Sequence, residues 1–123
     1  MEKIKALFLD RDGVINYDPG YVYRIEDFEF MPGIFEALAG FMTLGYEIFV
    51  VTNQSGIGRG YYSEDDFAKL SKYMIDEFKS YGVEIKKIYH CPHTPSDNCN
   101  CRKPKPGMIL QALDEFNISL KDS

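Results

Sequence analysis

The chain has 123 residues, 45% of them hydrophobic and 27% charged, which bounds it to one domain with an ordinary core. Its 14 Lys+Arg against 19 Asp+Glu give a net charge of −5, a balance that repels nucleic acid and anionic lipid, so an anionic ligand needs a local cluster of donors. The start, Met1 to Lys5, lacks the form of a signal peptide and no stretch is long enough to span a bilayer, so a cytoplasmic location without membrane partners is expected.

Ile4 to Leu9 is a short apolar run ending in charge, the pattern of a buried parallel strand. Asp10 to Phe30, rich in Gly, Asp, Pro and Tyr, predicts a long functional loop with a small hairpin. Pro32-Gly33 opens a helix to about Leu44, and Gly45 closes it. Tyr46 to Val51 predicts a second buried strand and Thr52 to Tyr62 a glycine-bearing loop. Ser63 is placed as N-cap with Asp66 three residues on. Phe67, Leu70, Met74, Phe78 and Tyr81 then recur at helical spacing as a core stripe, and Gly82 ends the helix. Val83 to Tyr89 predicts a third strand, Cys91 to Lys105 a loop with three prolines, and Pro106-Gly107 a last helix to about Asn117. This alternation implies a Rossmann-like three-layer α/β/α fold with a parallel sheet, its active residues at the carboxyl ends of the strands.

Asp10-Arg11-Asp12-Gly13 sits where the first strand stops. Residues two apart on an extended chain point the same way, so Asp10 and Asp12 could face one cleft. Like charges this close call for a cation, and a hard oxygen-ligand ion such as Mg²⁺, held by Asp10 and Asp12, keeps Asp10 ionised as a nucleophile. Asp12 is then the general acid and base. After the second strand, Thr52-Asn53-Gln54-Ser55-Gly56 offers a hydroxyl and side-chain amides as a donor pocket for phosphoryl oxygens. Arg59 either reaches a second anionic group or is solvated.

All three cysteines lie between Cys91 and Cys101. In a reducing compartment such a cluster suggests metal rather than disulfides. Cys91, His93, Cys99 and Cys101 offer the ligand count of a closed, structural Zn²⁺ site, with His90 a rival for the fourth position. Arg102 and Lys103 follow at once. Lys103 as a point charge suits a transferring phosphate, and the planar fork of Arg102 a second phosphate or a carboxylate.

Leu-Phe-Leu-Asp-Arg-Asp-Gly-Val resembles the first motif of the haloacid dehalogenase superfamily of phosphatases, and Thr-Asn-Gln-Ser-Gly its second, in which Thr52 would hold the phosphoryl group. With Cys-Pro-His and Cys-Asn-Cys-Arg-Lys-Pro, the whole chain resembles the subgroup of heptose bisphosphate and histidinol-phosphate phosphatases. The resemblance implies Mg²⁺-dependent removal of a sugar phosphate through an aspartyl-phosphate, most directly the 7-phosphate of D-glycero-D-manno-heptose 1,7-bisphosphate. Histidinol phosphate, and weak phosphosugar binding without turnover, are the alternatives. It further implies that Asp18, Pro19, Gly20 and Tyr21 cover the sugar and that Arg102 assists recognition. The family continues with strands and a metal-binding Asp that residues 1–123 lack. The expectation is therefore one incomplete phosphatase domain with a zinc loop at 91–101, monomeric when extended. As it stands, the chain is expected to expose its first strand as an apolar edge and to self-associate or be marginally stable.

Overall fold

The computed structural model describes residues 3–123; the reading of Met1 and Glu2 lies outside them. Three strands, β1 (Lys5–Leu9), β2 (Tyr46–Asn53) and β3 (Ile85–Cys91), form a parallel sheet in that order, with Leu9 opposite Val50 and Asn53 opposite Cys91. β2 is covered on both faces, and its centre, Ile48 to Val51, is accordingly an unbroken apolar run. Ile48 and Val50 point into one core with Leu38, Leu70, Met74 and Phe78. Phe49 and Val51 point into the other with Ala6, Tyr89, Met108 and Ala112. Helices α1 (Ile34–Thr43) and α3 (Glu64–Ser80) cover the first face and α4 (Gly107–Glu115) the second, giving the three layers expected. No described helix is long and apolar enough to cross a membrane.

Local chemistry sets the boundaries. Ser63 Oγ accepts from the Asp66 backbone N–H at 3.0 Å while Asp66 Oδ2 accepts from Ser63 N–H at 3.0 Å, a reciprocal cap that starts α3 where the sequence predicts. Phe67, Leu70, Met74 and Phe78 are buried as a stripe. Tyr81 departs from it: it sits past the last turn, 62% exposed, with its ring stacked on Phe35. β2 runs two residues further than predicted, and the loop after it contains a four-residue helix, α2 (Ser55–Gly58). β3 starts and ends two residues later than predicted, so Cys91 belongs to the strand. Between Asp10 and Phe30 the expected hairpin reduces to one antiparallel bridge, Asn16 to Phe30, and a 3₁₀ turn at Ile25–Asp27.

The free edge of β1 is not bare, which corrects the sequence expectation. Ile118 bridges Ile4 in parallel: Ile4 N–H donates to Asn117 O at 2.7 Å and Ser119 N–H to Ile4 O at 2.8 Å. The Ser123 hydroxyl oxygen accepts from Ala6 N–H at 2.9 Å. The segment leaving α4 thus satisfies the start of this edge.

Candidate active site and cysteine–histidine cluster

The strand ends converge as the fold requires. Asp10, immediately after β1, receives the Arg11 backbone N–H on Oδ1 at 2.8 Å and Lys103 Nζ at 2.8 Å from Oδ2. The two side chains are 38% and 30% exposed, so the pair lies open to solvent at the mouth of the site. Asn53 at the end of β2 holds Lys103 in place. Its Oδ1 accepts from Lys103 N–H at 2.9 Å, and its Nδ2 donates to Lys103 O at 3.4 Å. Asn53, expected among the phosphoryl donors, is therefore engaged with backbone.

Asp12 sits deeper. Arg11 Nε lies 3.0 Å from Asp12 Oδ1 and Arg11 Nη2 3.0 Å from Oδ2, a forked pair. Asn16 Nδ2 donates to Oδ1 at 3.0 Å and Gln54 Nε2 to Oδ2 at 3.1 Å. Gln54 is 2% exposed, and the same Nε2 donates to Thr52 Oγ at 2.9 Å. Gln54 Oε1 takes the Tyr62 hydroxyl in a short hydrogen bond. Burial pushes the Tyr62 phenol up to about 12, so it serves as a neutral donor. Gln54, expected to bind phosphoryl oxygens, instead lies beneath the site, tying Asp12 to Thr52. Thr52 is itself fully buried. Ser55 opens α2 beside them. Arg11, Asn16 and Tyr62 are not among the expected site residues; a cation between two carboxylates is the one visible signal for Arg11.

The segment Asp18 to Tyr21 is exposed, with Asp18 Oδ1 accepting from Gly20 N–H at 3.1 Å and Pro19 between them. Tyr21 adopts a left-handed φ of 50° and sets its ring edge-on to Tyr61, 4.9 Å between centroids. That contact brings this segment against the loop after β2, as the sequence reading needs. Arg102, Lys103 and Lys105 line one side of a cleft of about 230 Å³. Lys105 Nζ there donates to Cys99 O at 2.8 Å.

Cys91, His93, Cys99 and Cys101 come together: one ligand atom from each lies within 4.8 Å of all the others. His93 Nδ1 is 3.4 Å from Cys91 Sγ and 3.3 Å from Cys101 Sγ; Cys99 Sγ is 3.5 Å and 3.7 Å from the same two sulfurs. A zinc–sulfur bond of ~2.3 Å sets tetrahedral edges of about 3.8 Å, near these separations. The edge between Cys91 and Cys101 differs: these two are joined as a disulfide. The four donors that the sequence expects to hold a metal are brought together, with Cys91 and Cys101 bonded to each other. An ion and this bond exclude each other, because zinc requires both sulfurs as thiolates. Loop and sheet are packed tightly here. Gly58 N–H donates to Pro92 O at 2.8 Å, and a Cβ on Gly58 would press on that carbonyl. His90 is outside the cluster; its Nε2 lies 2.6 Å from Glu64 Oε1 and its ring stacks on Phe67.

A carboxylate just after the first parallel strand, a hydroxyl near the end of the second and a lysine beyond the third match the haloacid dehalogenase-like phosphatase fold, and solved structures agree. The D,D-heptose 1,7-bisphosphate phosphatase of B. bronchiseptica, complexed with magnesium and phosphate, superposes with a TM-score of 0.88 at 32% identity, over 95% of this chain and 66% of that one. The polynucleotide kinase 3 phosphatase family matches residues 6–122, and the chain belongs to that family. It is 60% identical over 98% of its length to the D-glycero-alpha-D-manno-heptose-1,7-bisphosphate 7-phosphatase of Campylobacter jejuni. It is 54% identical over 100% of its length to the D-glycero-beta-D-manno-heptose-1,7-bisphosphate 7-phosphatase of Helicobacter pylori. The chain spans 69% and 72% of those two relatives.

Proposed function

We propose that this chain is a phosphomonoester hydrolase domain that removes the 7-phosphate of D-glycero-D-manno-heptose 1,7-bisphosphate, with Asp10 as nucleophile. The observation that carries it is the Asp10–Lys103 pair at 2.8 Å beside the buried Asp12–Gln54–Thr52 group. An Asp10 oxygen forms a bond to phosphorus while the ester P–O bond breaks and Asp12 gives its proton to the leaving sugar oxygen. Water then attacks the phosphorus of the aspartyl-phosphate and passes a proton to Asp12. Inorganic phosphate leaves and Asp10 is restored. Lys103 offsets phosphoryl charge, and Thr52, whose oxygen already accepts from Gln54, keeps its own proton for a phosphoryl oxygen.

The half-exposed Asp10 carboxylate fits Mg²⁺, which when bound supplies charge neutralisation at the phosphoryl group. Each carboxylate oxygen of Asp12 accepts from two nitrogen donors, against one at each oxygen of Asp10, so of the two expected ligands Asp10 would be the more accessible to a cation. Cys91, His93, Cys99 and Cys101 would hold Zn²⁺ in the reduced protein and so fix the direction of Arg102 and Lys103. The cationic cleft suits the second phosphate of a bisphosphate, with Asp18 to Tyr21 and Ser55 over the sugar. The relatives' names favour heptose bisphosphate over histidinol phosphate, and the −5 net charge speaks against a polynucleotide. A cytoplasmic location fits both.

Phosphate release is to be measured from both anomers of heptose bisphosphate, histidinol phosphate and p-nitrophenyl phosphate, with and without Mg²⁺. Preferential Mg²⁺-dependent release from one heptose anomer is expected. Release from histidinol phosphate alone, or from none, would sink the assignment.

A further inference from the structure

We propose that Arg11 is a positioning residue for this reaction: its guanidinium fork fixes the plane of the Asp12 carboxyl group, and Gln54, oriented by Tyr62, holds the same group from the other side. The proposal rests on the reading of Asp12 as general acid and base.

Arg11 is 1% exposed, and its guanidinium lies 5.8 Å from the ring centroids of both Phe28 and Phe67. A buried ion pair is weak support for stability, because desolvation cancels much of the attraction and an apolar side chain of similar volume fills the space as well. What the fork supplies that an apolar group does not is direction. Arg11 Nε lies 3.0 Å from Oδ1, Nη2 sits between the two oxygens at 2.9 Å from Oδ1 and 3.0 Å from Oδ2, and the same Nη2 donates to Val22 O at 2.9 Å. The guanidinium is thereby anchored to backbone on one side and to the carboxyl group on the other.

Gln54 has one arrangement that satisfies its neighbours. Its oxygen faces two donors, the Tyr62 hydroxyl and, at 3.4 Å, Arg11 Nη2. Its nitrogen faces two acceptors, Asp12 Oδ2 and Thr52 Oγ. Reversing the amide would oppose donor to donor at Arg11 and acceptor to acceptor at Asp12. The side chain of Asp12 stays 20% exposed, so it is held without being closed off from solvent.

The test compares leaving groups. A sugar alkoxide needs Asp12's proton to depart, whereas p-nitrophenolate departs without it, and kcat/KM for both reports the step that breaks the ester bond. Asp12→Asn sets the pattern: a much larger loss on the sugar phosphate than on p-nitrophenyl phosphate. Arg11→Met keeps the packing volume and Arg11→Lys keeps the charge without the fork. Both should follow that pattern, with a loss on the order of 10²-fold on the sugar phosphate and less than about 10-fold on the aryl ester. Thermal unfolding checks that the variants are folded. Should Arg11→Met not fold, Gln54→Leu and Tyr62→Phe, which act on the other arm, carry the same expectation in smaller degree. Equal losses on both substrates, or Arg11→Lys with unchanged selectivity, would overturn the proposal. Asp12→Asn losing equally on both substrates would overturn the general-acid reading beneath it, and no turnover by the unaltered chain would overturn the phosphatase reading.

Discussion

Asp10 and Asp12 are two residues apart and live in different surroundings. Asp10 faces the half-buried cation Lys103; Asp12 is gripped by Arg11, Asn16 and Gln54. In the proposed mechanism the exposed group meets the incoming phosphoryl group and the gripped one delivers the proton. Asp10→Asn should therefore abolish turnover while leaving the thermal unfolding midpoint close to that of the parent, and near-normal phosphate release would refute the nucleophile. Tyr62 allows a second test. Its pKa is raised from 10.0 to about 12 by burial, so the folded state retains the proton more tightly than the unfolded chain. That contribution to stability is complete below pH 10.0 and is lost as pH rises toward about 12. Denaturant unfolding followed over this range should show a steeper decline for the parent than for Tyr62→Phe, and parallel declines would contradict the linkage. The two carboxylates were legible in the sequence as a charged pair where an apolar run stops. Asn53 and Gln54 were legible only as polar residues near the site. Their partners, Lys103 and the Asp12–Thr52 pair, come from distant positions, so only the folded chain shows that both amides support the site from beneath.

Element ends follow local rules and are therefore readable. Ser63 and Asp66 form their cap from side chains three residues apart, and the buried stripe of α3 follows from helical spacing. Ser63→Ala should cost about 1 kcal/mol in equilibrium unfolding, with the pH dependence and turnover unchanged. A cost near zero would show that the cap is not needed to hold this helix. Tyr81 shows where the spacing rule stops: the helix closes before that turn, so the periodic position no longer faces the core. The shift of β3 by two residues has a similar origin. Pairing with β2 extends as far as Asn53 opposite Cys91, and a strand continues while a neighbour supplies hydrogen bonds, whatever its own composition. The covered start of the β1 edge belongs here too. Ile118 follows a helix whose exit direction is set by packing on the sheet, which no local pattern encodes.

At the scale of the molecule, the cysteine–histidine loop joins β3 to α4 and is followed by the two cations proposed to meet the substrate. In the proposed reading, its state decides how firmly they are aimed. Protein purified under reducing conditions without added metal should contain one Zn²⁺ per chain, measured by elemental analysis, and chelation should release three titratable thiols. A preparation with no zinc and with Cys91 and Cys101 oxidised would overturn the metal site in favour of the disulfide. Because a closed site fixes only this loop, chelation should weaken inorganic phosphate binding, read by calorimetry, before it lowers the cooperative unfolding of the sheet. The sequence by itself determined the order of strands and helices, the carboxylate pair and the identity of the four donors. Each depends on periodicity, or on residues within about ten positions of one another, and local geometry is enough to relate them. Only the tertiary structure decided which polar groups face the cleft and which lie beneath it, that Arg11 is buried against Asp12, and that the β1 edge begins to be covered by Ile118. These depend on contacts between segments distant in the chain, whose relative placement is set by the packing of both cores against one sheet.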